Sequence, residues 1–174
     1  MDTSDLTRLL RRHAGLIHKV AYAYCRDATD REDVVQEIAV RLWRDRDRYD
    51  ARFKETTWIY RIAVNTAISF HRRERRHRDG RLPLDPRAIT VAAPEATPPD
   101  DDVRILLDCI QELAPLDKAL VLMSLDGVDH AAIAEVLGIS ASNVGTKLWR
   151  IKDRLRDAVL ARRASESGEP HAER

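Results

Sequence analysis

Glycine is scarce in this chain, with six in 174 residues, and aromatic side chains make up only 5%. A sandwich or barrel needs many tight turns and ring-bearing strands, so both architectures are disfavoured. Only two cysteines occur, Cys25 and Cys109, far apart and without a CxxC partner. A disulfide framework is thereby excluded, and both thiols read as small core residues of a reducing compartment. A metal site built from Cys25 with His13 or His18 fits no common ligand spacing. No apolar run approaches a membrane span and no secretory core opens the chain, so the expected location is cytoplasmic, without membrane insertion. Charge of one sign is lacking too: 30 basic residues offset 29 acidic ones, for a net charge of +1. Overall charge therefore does not select a polyanionic partner.

What is present is helical patterning and blocks of local charge. Hydrophobic residues make up 44% of the chain, enough to bury a core, and 34% are charged. "DATDREDVVQE" (Asp27 to Glu37) is acidic, whereas "HRRERRHR" (His71 to Arg78) and "KLWRIKDRLR" (Lys147 to Arg156) are basic. Between Asp79 and Asp101, "DGRLPLDPRAITVAAPEATPPDD" holds five of the seven prolines, which excludes helix over most of it. These 23 residues read as a linker spanning roughly 26 Å if flexible and up to about 75 Å if straight.

The spacing predicts an all-α protein of two small helical domains joined by this Pro-rich linker. Residues 1–78 form the first domain, 79–101 the linker, 102–160 the second domain, and 161–174 a polar, disordered tail. Apolar residues at helical intervals, including Leu9, Ile17, Val34, Ile38, Leu42, Ile59 and Phe70, predict helices near 5–25, 30–47 and 55–78. In the second domain, Asp starts and Pro115 predict helices near 101–114, 116–126, 129–137 and 140–160.

"IAEVLGISASNVGTKLWRIK" (Ile133 to Lys152) reads as two helices joined at Gly138, with Ser140 as the cap of the second. Val144, Leu148, Ile151 and Leu155 lie within about 60° of one another on the helical wheel and form its buried stripe. Ser142, Thr146, Trp149, Arg150 and Asp153 fall on the opposite face. Hydroxyls, an indole and a guanidinium suit the major groove, where Thr meets base edges or a methyl group and Arg grips guanine. Asn143 lies beside this row, while Lys147, Lys152, Arg154 and Arg156 flank it and can neutralise phosphates. The competing reading is a plain αα-hairpin with a solvated basic face.

The acidic helix raises a similar choice. With Val34, Val35, Ile38 and Leu42 inward, Asp33, Gln36, Glu37, Val40 and Arg44 point outward. Carboxylates in the first turns complement the helix macrodipole, and they also suit a basic protein surface.

"DREDVVQEIAVRLW", then "TTWIYRIAVNTAISFHRRERR", then "VDHAAIAEVLGISASNVGTKLWRIKDRLR" resemble bacterial RNA polymerase sigma factors, specifically the extracytoplasmic-function group of the sigma-70 family. The resemblance covers about residues 10–78 and 102–158. It implies that the first domain is region 2 and the second region 4, in a protein with no catalytic residues, cofactor or metal of its own. Asp33, Gln36 and Glu37 would then dock on the β′ clamp coiled coil of core polymerase, and region 4 would rest on the β flap. The helix beginning at Trp58 would read and open the minus-ten promoter element, with Tyr49 and Asn65 at an extruded base and Arg61, Arg72, Arg73 and Arg76 along the strand. Ser142, Asn143, Thr146, Lys147, Trp149 and Arg150 would contact the minus-thirty-five element. An anti-sigma protein is implied as a further partner. Gly145 departs from the basic residue common at its position, and "RYDARFKETTW" departs from the usual small, glycine-bearing loop. The residues alone leave two rivals: a free-standing helix-turn-helix regulator with an N-terminal sensing or dimerisation domain, and an adaptor that binds polymerase without reading DNA.

Overall fold

The computed structural model describes residues 3–52, 54–76 and 100–167. Helices α1 (Thr3–Arg12), α2 (Ala14–Tyr24), α3 (Ala28–Asp45) and α4 (Glu55–Arg76) make up the first half, with a short 3-10 turn at Arg46–Arg48. Helices α5 (Asp101–Gln111), α6 (Pro115–Leu125), α7 (His130–Leu137) and α8 (Ala141–Ser167) make up the second. Among the described residues there is no strand, and no helix is long and apolar enough to cross a membrane. The expected linker, residues 79–101, lies outside the described set apart from its last two residues.

Local chemistry accounts for most helix ends. Asp27 caps α3 by accepting from the Thr29 N–H at 2.8 Å, and Asp129 caps α7 by accepting from the Ala132 N–H at 2.9 Å. Pro115 occupies the first turn of α6, where a missing N–H costs nothing. Two expectations are corrected. The helix predicted over 5–25 is two helices, because His13 leaves helical geometry (φ −108°, ψ 15°); Arg12 and the His13 ring both lie 3.2 Å from Glu55 Oε2. The tail predicted from 161 is helical through Ser167, where Arg163 pairs with Asp102 of α5 and Arg162 with Glu112 just beyond it. Residues 168–174 lie outside the described set.

In the first half α2, α3 and α4 pack on one another around Ile17, Val20, Val34, Ile38, Leu42, Ile59 and Ala63. In the second, α8 packs on α5, α6 and α7 through Val144, Leu148, Ile151 and Leu155, the stripe predicted from spacing. The linker is long enough to let the halves part, yet here they touch: α2 meets α5 and α6, while α4 meets α6 and α7. Tyr60 of α4 is completely buried, and its hydroxyl donates to Asp126 Oδ2 at 2.5 Å, with the Leu122 carbonyl oxygen 3.1 Å away. Tyr24 donates to the Pro115 carbonyl at 2.5 Å, and Tyr22 to Asp108 at 3.0 Å.

Candidate nucleic-acid interface

The turn between α7 and α8 is built by Gly138, whose φ of 67° places it in the left-handed region where a side chain is strained. Ser140 then caps α8 by accepting from the Asn143 N–H at 3.2 Å. With its stripe buried, α8 exposes Ser142, Asn143, Thr146, Trp149, Arg150 and Asp153 together. Trp149 is 70% exposed, a large apolar surface for a residue that meets no partner within the chain's core. Thr146 donates to the Ser142 carbonyl at 3.1 Å, which leaves its methyl and hydroxyl oxygen at the helix surface. Lys147 departs from this row: it is half-buried and lies 3.8 Å from Asp117 of α6, which also faces Arg154 at 4.0 Å. Part of the basic character read from the sequence thus neutralises a carboxylate of the same domain.

A second site forms where the 3-10 turn leads into α4. Tyr49 and Trp58 pack against each other with tilted rings, centroids 5.0 Å apart at 48°. They line a small recess of about 90 Å³ together with Arg48, Asp50, Thr57 and Arg61. Arg52 donates to the Asp50 carboxylate through Nε and Nη2, at 2.9 and 2.6 Å, which holds that carboxyl below its usual range and fixes the loop. The recess therefore offers rings, cations, a hydroxyl and a carboxylate. Asn65 is exposed one turn beyond Arg61 and is not among the lining residues, so the structure separates it from the aromatic pair. Arg72 is exposed near the end of α4, and the side chain of Arg76 lies outside the described set.

Of the three docking residues on α3, Gln36 is exposed while Asp33 and Glu37 are half-buried. Glu37 accepts from Arg41 at 2.8 Å and from Arg73 of α4 at 2.7 Å. Arg73, predicted to hold phosphate, also lies over the Phe70 ring at 5.4 Å. One carboxylate predicted for protein docking and one guanidinium predicted for DNA are thus each other's partners here. Spacing could not reveal this, because both fall on outward faces of their own helices.

Sequence reading also missed Arg48, Asp50 and Thr57 in the recess, and the pairing of Arg61 with Glu135 of α7 at 2.6 Å. The departure of "RYDARFKETTW" from a small loop was the available signal for the first group. Nothing in the sequence marks Glu135.

A bundle carrying an aromatic recess, followed by a helix-turn-helix with an exposed reading face, defines a two-part DNA-binding α protein. Residues 9–77 match the family model for Sigma-70 region 2, and residues 104–155 match that for Sigma-70, region 4. The chain therefore belongs to the sigma-70 family of RNA polymerase sigma factors, in its extracytoplasmic-function group. It is 29% identical over 165 residues to the ECF RNA polymerase sigma factor SigE of Mycolicibacterium smegmatis, covering 92% of this chain and 63% of that protein. The ECF RNA polymerase sigma-E factor of Haemophilus influenzae is 25% identical over 88% of this chain and 85% of its own length. In fold it is similar to the sigma factor RpoE of Bartonella quintana, solved with the anti-sigma factor NepR, at a TM-score of 0.67 and 18% identity over 90% of this chain and 95% of that one. CnrH, solved with the cytosolic domain of CnrY, gives a TM-score of 0.64 at 20% identity over 92% and 90%.

Proposed function

We propose that the chain is a promoter-specificity subunit of bacterial RNA polymerase, acting in the cytoplasm, that binds core enzyme and promoter DNA and assists strand opening without catalysing a reaction. Residues 1–78 serve as region 2 and residues 102–160 as region 4. The exposed row Ser142, Asn143, Thr146, Trp149 and Arg150 of α8 reads the minus-thirty-five element, with Lys147 shared between phosphate and Asp117. The Tyr49–Trp58 recess takes a base extruded from the minus-ten element, and Asn65 meets the nucleotide beside it. The outward face of α3 around Asp33, Gln36 and Glu37 docks on the β′ clamp. The apolar groove between α5, α6 and α8, lined by Leu106, Val121, Leu125 and Leu160, rests on the β flap. An anti-sigma protein covers the same surfaces, in keeping with the complexes in which two chains of similar fold were solved.

The recess is the observation that carries this reading, because a free-standing regulator has no use for an aromatic slot on a separate helix from its recognition helix. Opening a duplex without ATP requires contacts that offset stacking of roughly 1.4 kcal/mol per base step. Stacking of one base on an aromatic side chain supplies about 1–3 kcal/mol. The test is permanganate footprinting of unpaired thymines on promoters selected by run-off transcription with core enzyme from a genomic template pool. Tyr49→Ala and Asn65→Ala holoenzymes should bind duplex promoter yet open it less, and should recover on a template already mismatched over the minus-ten element. If both variants open duplex DNA as the wild type does, the base-capture role is wrong. Should even the wild type give no polymerase-dependent opening, a helix-turn-helix regulator becomes the better description.

A further inference from the structure

A cation without a counter-ion is buried where the halves meet. Lys118 of α6 is 7% exposed, yet among the described residues its ammonium has no carboxylate partner and no hydrogen-bond acceptor. It lies over the Tyr24 ring, 5.3 Å from the centroid, and Tyr24 spends its own hydroxyl on the Pro115 carbonyl. Burial lowers the Lys118 pKa below the usual lysine value and the charge of Arg26 lowers it further, with Cys25 opposing. A buried ammonium without a partner is costly, and a second cation beside it makes it costlier.

Both cations line a cavity of about 700 Å³ whose walls come from both halves of the chain. That volume falls within the range of small-molecule sites, roughly 300–1,000 Å³. Tyr24, Phe70, Leu113 and Pro115 give the cavity an apolar surface. His71 of α4 also lines it, as do Asp27 and Asp30 at the start of α3. Asp27 is committed to the Thr29 N–H, and the charges that act on Lys118 are those of Arg26 and Cys25 rather than of these two acids. The cavity's own acids thus leave its buried cation uncompensated. No residue of this cavity is assigned to promoter DNA or to core polymerase.

Two cations suit a dianion. A phosphate monoester carries about two negative charges at neutral pH and offers three acceptor oxygens, which an ammonium and a guanidinium can share. The apolar surface calls for an organic body on that phosphate. We infer that this cavity binds an organic phosphate monoester, its phosphate held by Lys118 and Arg26 and its apolar or aromatic body against Tyr24, Phe70, Leu113 and Pro115. Because the walls come from both halves, such a ligand binds only while they touch, and its binding strengthens that contact. Neither DNA nor polymerase takes part, so the test below is independent of the promoter-specificity reading.

The experiment uses the full chain and two probes, inorganic phosphate and phenyl phosphate, titrated by calorimetry at fixed ionic strength. Phenyl phosphate should bind at least about tenfold tighter, because only its ring covers the apolar surface. Lys118→Met keeps a linear side chain and should weaken phenyl phosphate about thirtyfold or more, since it removes the buried charge. Arg26→Gln, at an exposed position, should weaken it about tenfold and guards against misfolding of the buried variant. Cys25 lines the cavity and Cys109 does not, so phenyl phosphate should slow alkylation of Cys25 by iodoacetamide relative to Cys109, read by peptide mass. Binding that survives both substitutions, or that leaves the ratio of Cys25 to Cys109 alkylation unchanged, places the anion elsewhere and overturns the inference. Absence of saturable binding by either probe overturns it too, and so does inorganic phosphate binding as tightly as phenyl phosphate, which leaves the apolar surface without a role.

Discussion

Tyr60→Phe removes one oxygen from the centre of the molecule and should destabilise it measurably. The ring is completely buried, so the apolar contacts survive the change and only the hydroxyl is lost. That hydroxyl donates to an acidic side chain, Asp126, at 2.5 Å. A hydrogen bond to a charged group contributes about 1.5–3 kcal/mol. Asp126 keeps Lys19 and has a side chain 28% exposed, so water can satisfy part of the vacated site, and the expected loss falls to about 1–2 kcal/mol. For a chain of this length each kcal/mol lowers Tm by about 2–4 °C. Urea unfolding followed by far-UV circular dichroism measures the loss directly, and a double-mutant cycle with Asp126→Asn isolates the pair. Stability within about 0.5 kcal/mol of wild type, or strict additivity in the cycle, would refute the claim that this bond ties the halves together.

Burial raises the ionisation of Tyr60 and Tyr24 above the ordinary tyrosine value of 10.0, with Asp126 adding to the effect at Tyr60. The folded state therefore retains protons that the unfolded chain releases, so stability is full below pH 10 and falls as pH rises above it, which an alkaline unfolding series should register. Gly145→Ala should stabilise the chain by up to about 1 kcal/mol, because a Cβ there meets only the His130 ring at 3.8 Å and alanine favours the helix; thermal unfolding checks it. Arg150→Ala should cost about 1–3 kcal/mol in promoter binding and relax preference at one upstream position, which selection from randomised upstream DNA reads out; Lys152→Ala should weaken all sites alike and reduce the salt slope by about one.

Helix positions were legible wherever the signal was local. Pro115, Gly138 and Ser140 act on their own turn, and each fulfils the role its residue type suggests. The buried stripe of α8 was legible for the same reason, since spacing alone sets which side chains share a face. What spacing could not show is which outward face meets another element. Arg162 and Arg163 read as the start of a disordered tail until Asp102 of α5 and Glu112 just beyond it supply their carboxylates. Lys147 looks like a phosphate ligand until Asp117 appears 3.8 Å away. Asn65 shares a helix face with Trp58, yet the recess is closed by Arg48, Asp50 and Thr57, which come from the loop or the first turn and carry no period.

Glu37 joins the two functions proposed for the first half. Its carboxylate, with a side chain 17% exposed, receives Arg41 from its own helix and Arg73 from the end of α4. The pair adds a charged contact between α3 and α4 beside their apolar packing, and so ties the docking face to the helix that carries the recess. A polymerase surface that draws on Glu37 must compete with Arg73, and an Arg73 so released is available to the phosphates beside the recess. Removing one partner of such a pair leaves the other charge less satisfied, so Glu37 and Arg73 cannot be altered independently. Core docking and strand binding, assigned to different helices, then become linked through one ion pair, and weakened polymerase binding after charge reversal at Glu37 has two causes: loss of a docking acid and displacement of α4. Arg73→Gln separates them, because it leaves Glu37 held by Arg41 alone, with one oxygen released for docking, while removing the charged contact between α3 and α4.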